Sequence, residues 1–380
     1  KNRKDFSNLF TVTIDGADAK DFDDAISIEK DGEDYILYVH IADVAHYVTE
    51  NRKINDDAYE RGNSVYLLDR VIPMIPESLS NGLCSVNPNE DRLTLTVKMK
   101  IDKKGKVIDY DFYESVINSD YRLIYEDVSN LLENKKSVYK NPELEEKLYL
   151  MNELHQILEE KRYSNGALDF DFKESKIILD GYGTPIDVKV AERRVANRLI
   201  ESFMVLTNEV VGEHFSNIEV PFIYRVHEAP SDEKVMEFRS IIARFGLQIK
   251  GDKLYPKDFQ KILKEVEGTS LSYTISNIML RTMKKAEYRR EPNIHFGLAT
   301  ENYSHFTAPI RRYSDLVVHR ITKASLHNNY KKVKRSYLKK LDKIAEHISE
   351  TERKADEAER DVDALKKCEY MVDRVGNEYT

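Results

Sequence analysis

Between Leu93 and Ile101, the apolar residues Leu93, Leu95, Val97, Met99 and Ile101 alternate with Thr94, Thr96, Lys98 and Lys100. That is the two-residue period of a strand with one buried face. Lys103-Lys104-Gly105 breaks the pattern, and a second alternating run follows through Ile108, Tyr110 and Phe112, so the spacing predicts a hairpin. Phe10–Ile14 and Ala25–Ile28 are also strand-like, and residues 35–48 form an apolar run interrupted by His40 and Asp43. This last run predicts a buried strand leading into a loop.

Beyond residue 140 the period lengthens to that of helices. Glu143–Arg162 is periodic and stops at Asn165-Gly166, and a second helix is predicted from Ala191 to about Val211. Ser231-Asp232-Glu233 has the form of an N-cap with an acidic first turn, and Gly246 closes that helix. Thr307 and Pro309 predict another helix running to about Leu326, with Arg311 and Arg312 in its first turn. Leu341, Ile344, Ile348, Ala355, Ala358, Val362 and Leu365 recur along a charged stretch. They predict one long amphipathic helix packed on the domain rather than an oligomerising coiled coil. The fold class is α+β, with a β-sheet core in the N-terminal part surrounded by helices from the C-terminal two-thirds.

Composition adds constraints. The 380 residues are 33% charged and 41% hydrophobic, which is globular and excludes collagen-like or disordered chains. No uncharged apolar run reaches membrane-spanning length, and the two cysteines, Cys84 and Cys368, suit a reducing compartment rather than a disulfide framework. A cytoplasmic protein is expected, monomeric by default and without a membrane partner. The formal net charge of −8 neither supports nor excludes a nucleic-acid substrate, because bound cations would offset acidic residues.

The densest chemistry is Asp15-Gly16-Ala17-Asp18-Ala19-Lys20-Asp21-Phe22-Asp23-Asp24-Ala25. Carboxylates this close repel one another unless cations join them. Oxygen donors without nearby His or Cys suit hard cations, Mg²⁺ or Mn²⁺. A solvated acidic loop is the alternative; a calcium loop fits poorly, since the EF-hand spacing is not met. Far downstream, Tyr303-Ser304-His305-Phe306-Thr307-Ala308-Pro309-Ile310-Arg311-Arg312-Tyr313 sets two arginines where the helix dipole disfavours cations. That placement suggests an anionic ligand such as phosphate; a surface pair bonded to local carboxylates is the alternative. Tyr66, Tyr125 and Phe170 are candidates for base stacking, though each read singly fits a core or surface aromatic better. His40, His295, His305 and His319 lack metal-ligand spacing and are assigned structural roles or roles supporting the residues of the site.

These segments, together with His40-Ile41-Ala42-Asp43-Val44, Pro73-Met74-Ile75-Pro76, Leu83-Cys84-Ser85, Asn165-Gly166-Ala167-Leu168-Asp169-Phe170 and Ala196-Asn197-Arg198-Leu199-Ile200-Glu201, resemble the RNB catalytic domain of the ribonuclease II/ribonuclease R family. The details are nearest its bacterial ribonuclease R branch, and the matches run in family order over about residues 12–375. The resemblance implies a processive 3′→5′ exoribonuclease that hydrolyses single-stranded RNA to nucleoside 5′-monophosphates with two Mg²⁺ ions per site. It implies metal binding by Asp15, Asp21, Asp23 and Asp24, with Asp18 less firmly placed. Asp23 and Arg311 would be catalytic, Arg311 at the scissile phosphate. Tyr66 and Phe170 would clamp stacked bases, Tyr125 and Glu201 would line the terminal-nucleotide pocket, and Tyr303 and Arg312 would join the RNA contacts. Ala308 stands where the family usually has Ser, and Ser202 where a second Glu is common. Cold-shock and S1 domains flank the family's catalytic domain, so residues 1–375 are assigned to that domain and 376–380 to the start of a following S1 domain. Two rival readings are an RNA-binding relative that no longer cleaves and a different metal-dependent phosphodiesterase.

Overall fold

The alternating segments of the first third form one sheet. In the computed structural model, which describes residues 2–170, 175–251 and 253–378, its strands are β1 (Lys4–Asp5), β2 (Val12–Asp15), β3 (Asp24–Asp31), β4 (Asp34–Ala42), β5 (Asp91–Ile101), β6 (Val107–Asn118) and β7 (Tyr121–Ile124). They lie in the order β1-β6-β5-β4-β3-β2-β7. The outer pairings β1–β6 and β2–β7 are parallel and the inner ones antiparallel. The predicted hairpin is β5–β6, turned at Gly105, whose φ of 74° is free of strain only for glycine.

The polar side of β5 departs from expectation. Thr94 and Thr96 are as buried as their apolar neighbours. Thr96 Oγ1 lies 2.7 Å from His40 Nδ1 and 2.6 Å from Ser115 Oγ, and Ser27 Oγ lies 3.1 Å from His40 Nε2. The buried hydroxyls and the imidazole satisfy one another, so this face needs no water. Burial holds the His40 pKa down to about 3, which makes it a neutral, structural histidine.

The main helices are α1 (Tyr125–Asn134), α2 (Pro142–Asn165), α3 (Val195–Asn217), α4 (Asp232–Ala243), α5 (Pro256–Val266), α6 (Ser272–Thr282), α7 (Tyr313–Leu326) and α8 (Leu341–Met371). α2 starts where Asn141 caps Glu143 and Leu144, a cap the sequence reading did not single out, and ends as expected at Gly166, which lies in the left-handed region. Ser231 caps α4 through Lys234 N–H. The sheet shares one core with α1, α2, α3, α7 and the first half of α8, while α4–α6 enclose a smaller apolar cluster around Phe238, Phe259 and Ile275. α8 buries Leu341, Ala345, Ile348 and Ala355 against the domain and leaves Leu365 63% exposed, while Glu359 and Lys366 tie its second half to Tyr66 N–H and to Gly183 O.

Three features escape the sequence reading. The antiparallel pair Ser175–Leu179 and Pro185–Val190 lies within the helical part and packs on α8. Residues 376–378, assigned from sequence to the start of a following S1 domain, form no strand. The helix predicted from Thr307 begins only at Tyr313, so Arg311 precedes it and Arg312 is its N-cap residue. Tertiary pairing wins there over the local proline signal: Ser64 N–H donates to Arg311 O (3.0 Å), Tyr313 N–H to Gly62 O (2.9 Å), and Asn63 bridges Arg312. Gly62 must lack a side chain, since a Cβ would stand 2.0 Å from Thr351 Oγ1 of α8. No helix among the described residues is long and apolar enough to cross a membrane.

Candidate active site

β2 and β3 are paired only at Val12 and Ile26. Beyond that point they diverge, and residues 16–23 cross the gap as a loop with Asp15 at the end of one strand and Asp24 at the start of the next. β7 runs parallel to β2, pairing Asp15 with Ile124, so Tyr125, the first residue of α1, emerges beside Asp15. The arginine segment arrives from the far end of the chain. Asp23 Oδ1 accepts the Ile310 N–H at 2.8 Å, and Arg311 Nε stands 3.8 Å from Asp23 Oδ2.

The result is a cavity of about 530 Å³. Asp15, Asp21, Asp23, Asp24, Tyr66, Tyr125, Glu201, Tyr303, Arg311 and Arg312 all line it. Tyr66 Oη donates to Asp21 Oδ2 at 3.3 Å, and its backbone N–H to Glu359 Oε1 at 2.7 Å. Arg312 is held from behind by the fully buried Asp315, which also accepts the Ala308 N–H (2.7 Å) and the Ser314 hydroxyl (2.7 Å). Ala308 therefore contributes a backbone donor to this arrangement.

Phe170 is the exception. Past Gly166 the chain turns away, Leu168 N–H bonding to Gly297 O, and the Phe170 ring packs on the α4–α6 cluster instead of lining the cavity. Tyr66 and Phe170, expected to clamp stacked bases at either end of a buried 3′ segment, thus do not share this cavity. Asp18 is exposed and off the cavity. Ser202 is buried and bonds His155 Nδ1 at 2.9 Å, so it faces α2.

Several lining residues were not singled out from sequence. Asn208 donates to Tyr303 Oη at 3.0 Å and accepts the Phe306 N–H at 2.8 Å, tying α3 to the arginine segment. Glu201, Met204 and Asn208 all line the cavity and recur at helical spacing, a signal that marks them once Glu201 is chosen. Gly212 makes the contact possible, because a Cβ there would meet Asn302 O at 1.8 Å. His305, taken as structural, lines the cavity as well and lies 2.8 Å from Tyr288 Oη through Nδ1. No spacing rule flags it.

Charge is unbalanced in this space. Burial raises the pKa of Asp15, raises that of Asp23 well above the usual carboxylate range, and raises that of Asp24 to about 7; mutual repulsion adds to each, and Arg311 offsets part of it. Desolvated carboxylates whose charge Arg311 and, at Asp15, Arg122 offset only in part fit divalent cations of the Mg²⁺ type. Among the described residues, though, no three acidic, histidine or cysteine side chains converge into a ready shell for one ion.

A family model described as RNB domain matches residues 3–328. The chain belongs to the RNB domain family. This RNB domain is 46% identical over 380 residues to ribonuclease R of Thermotoga maritima, covering 98% of this chain and 54% of that protein. It is 44% identical over 382 residues to ribonuclease R 1 of Lactococcus lactis, covering 99% of this chain and 47% of that one. It also superposes with a TM-score of 0.94 on Mycoplasma genitalium RNase R solved with ribose-methylated single-stranded RNA, at 30% identity over 99% of this chain and 59% of that one. The chain spans about half the length of the curated relatives it matches. The mixed sheet-and-helix architecture expected from sequence is that of these relatives.

Proposed function

We propose that this RNB domain is a divalent-metal-dependent exoribonuclease that removes nucleoside 5′-monophosphates from the 3′ end of single-stranded RNA and acts in the cytoplasm. The observation that carries the reading is the meeting of Asp15, Asp21, Asp23 and Asp24 with Arg311 in one cavity walled by Tyr66 and Tyr125. Relatives named ribonuclease R and a related structure holding single-stranded RNA support the choice of substrate.

In this reading Asp15, Asp21, Asp23 and Asp24 hold the cations. When bound, divalent metal supplies an activated water and a Lewis acid for the phosphodiester. Arg311 is free of strong pairing, 3.8 Å from Asp23, and turns its planar fork to the scissile phosphate as negative charge develops there. Tyr66 and Tyr125 offer ring faces and hydroxyls to the last nucleotides. Burial beside carboxylates pushes both phenol pKa values up, so each hydroxyl stays a hydrogen-bond donor. Glu201 accepts from sugar hydroxyls. Arg312, neutralised from behind by Asp315, and Tyr303, oriented by Asn208, shape the floor of the site. Phe170, packed on the α4–α6 cluster outside this cavity, bounds the stacked bases at the other end of the 3′ segment.

The test is a time course on RNA labelled at its 5′ end, in Mg²⁺ or in EDTA, with a matched DNA strand alongside. Metal-dependent stepwise shortening of the RNA with release of mononucleotides is expected. RNA binding without cleavage in Mg²⁺ would point to the inactive relative, and equal attack on DNA to a different phosphodiesterase.

A further inference from the structure

The Glu201 carboxylate is gripped from outside the cavity. Arg193 Nη2 donates to Oε2 at 2.6 Å, and Arg162 Nη2 stands 3.7 Å from Oε1. The other arm of the Arg193 guanidinium donates to Asp169 Oδ1 at 2.8 Å. Arg162 comes from the last turn of α2, Asp169 from the chain just past Gly166, and Arg193 from the segment entering α3. Glu201 stands on the wall shared by the active-site cavity and a second groove of about 350 Å³, which Arg162 and Asp169 also line.

Stability does not account for this arrangement. The Arg193 and Glu201 side chains are each 39% exposed, and ion pairs at such exposure contribute little. Geometry and charge do. A carboxylate offers about four lone-pair directions. Arg193 and Arg162, neither of which lines the cavity, engage the two oxygens and leave the remaining directions for hydroxyl donors. Glutamate also has three rotatable bonds, and a planar fork anchored on Asp169 fixes where its head lies. The cavity already holds four aspartates; an uncompensated fifth carboxylate would repel the phosphates of an entering strand, and the two guanidiniums remove that repulsion.

We propose that Arg193 is a positioning residue for Glu201: by orienting and neutralising this carboxylate, it sets the preference of the cavity for a strand whose terminal sugars carry 2′-hydroxyls. The inference rests on the reading of the cavity as the seat of an RNA 3′ end. A hydroxyl accepted by a charged group is worth enough that losing its alignment lowers discrimination by about tenfold.

The measurement is fluorescence anisotropy with the 380-residue chain in EDTA. Two 5′-labelled single strands are compared, alike except that the last few sugars are ribose in one and 2′-deoxyribose in the other. Arg193→Ala is expected to cut the ribose-over-deoxyribose affinity ratio about tenfold, mainly by weakening the ribose strand. Arg193→Lys should recover part of the ratio, since it keeps the charge but not the fork. Glu201→Gln should lower the ratio too, and the double variant should fall no further than the larger single effect. Arg193→Gln, close in size, replaces Ala if the melting temperature shows that Ala disturbs folding. A ratio unchanged in Arg193→Ala but lost in Glu201→Gln would overturn the proposal, as would an equal loss of affinity for both strands. A ratio unaffected by Glu201→Gln would instead overturn ribose recognition by this cavity, and the role of Arg193 with it.

Discussion

The Asp23 carboxylate accepts the backbone N–H of Ile310 at 2.8 Å, across 287 positions of sequence. This bond joins the acidic loop to the arginine segment and leaves the second Asp23 oxygen toward Arg311. It also fixes a carboxylate in a place where burial makes its charge costly.

Asp23→Asn is therefore expected to separate stability from chemistry. The amide oxygen can still accept from Ile310, and the desolvated charge is gone. In EDTA the variant should melt no lower than the parent chain, and higher by a few degrees if Asp23 is ionised there. RNA binding should persist while Mg²⁺-dependent cleavage drops by at least about 10³-fold, on the scale of losing a principal transition-state contact. Thermal melts and single-turnover cleavage check both halves; retained full activity would sink the assignment of Asp23.

The raised carboxylates give a pH signature. Asp15, Asp23 and Asp24 bind protons more tightly folded than unfolded, so over this window the native state carries more protons, and stability from this cluster falls as pH rises. The fall begins near the unfolded carboxylate value of about 4 and extends through about 7, the value for Asp24. On the proposed assignment Mg²⁺ binds the ionised cluster, so the rise in melting temperature on replacing EDTA with Mg²⁺ should be small at pH 5 and grow by pH 7.5. A metal effect independent of pH would show that these carboxylates are not where the ion binds.

Arg311 should be more sensitive to shape than to charge. Arg311→Ala removes the fork and is expected to lower the cleavage rate by roughly 10²–10³-fold. Arg311→Lys keeps the charge but cannot grip phosphate in two places and should recover only part of it. The loss belongs mainly in the rate at saturating RNA. A change confined to affinity would reassign Arg311 to strand binding.

Gly212→Ala tests the support behind the site. The new methyl group would meet the Asn302 carbonyl oxygen at 1.8 Å. α3 must then move away from the segment that carries Tyr303, stretching both Asn208 hydrogen bonds. Destabilisation of about 1–3 kcal/mol is expected from such overpacking, measurable by urea unfolding, together with reduced cleavage although Gly212 does not line the cavity. An unchanged midpoint would mean that α3 and this segment do not need their close approach.

The acidic run and the arginine segment were legible because their chemistry is local: five aspartates in ten residues (Asp15 to Asp24) and two adjacent arginines are unusual whatever the fold. The sheet was legible for the same reason, since a two-residue period reports which face is buried, and so was the end of α2, which is set by Gly166. Pairings between distant segments carry no such local signal. The start of α7 is decided by Gly62 and Ser64 rather than by Pro309, and Thr96 is buried because His40 meets it across the sheet. Asn208 and His305 enter the cavity only through the packing of α3 and of residues 302–313 on the rest of the domain. Phe170 sits elsewhere because an aromatic ring is equally suited to a stacked base and to an apolar core. A residue type fixes which interactions a side chain can make; the tertiary structure decides which partner comes within reach, because burial and hydrogen bonding act over a few ångströms between atoms hundreds of residues apart in sequence.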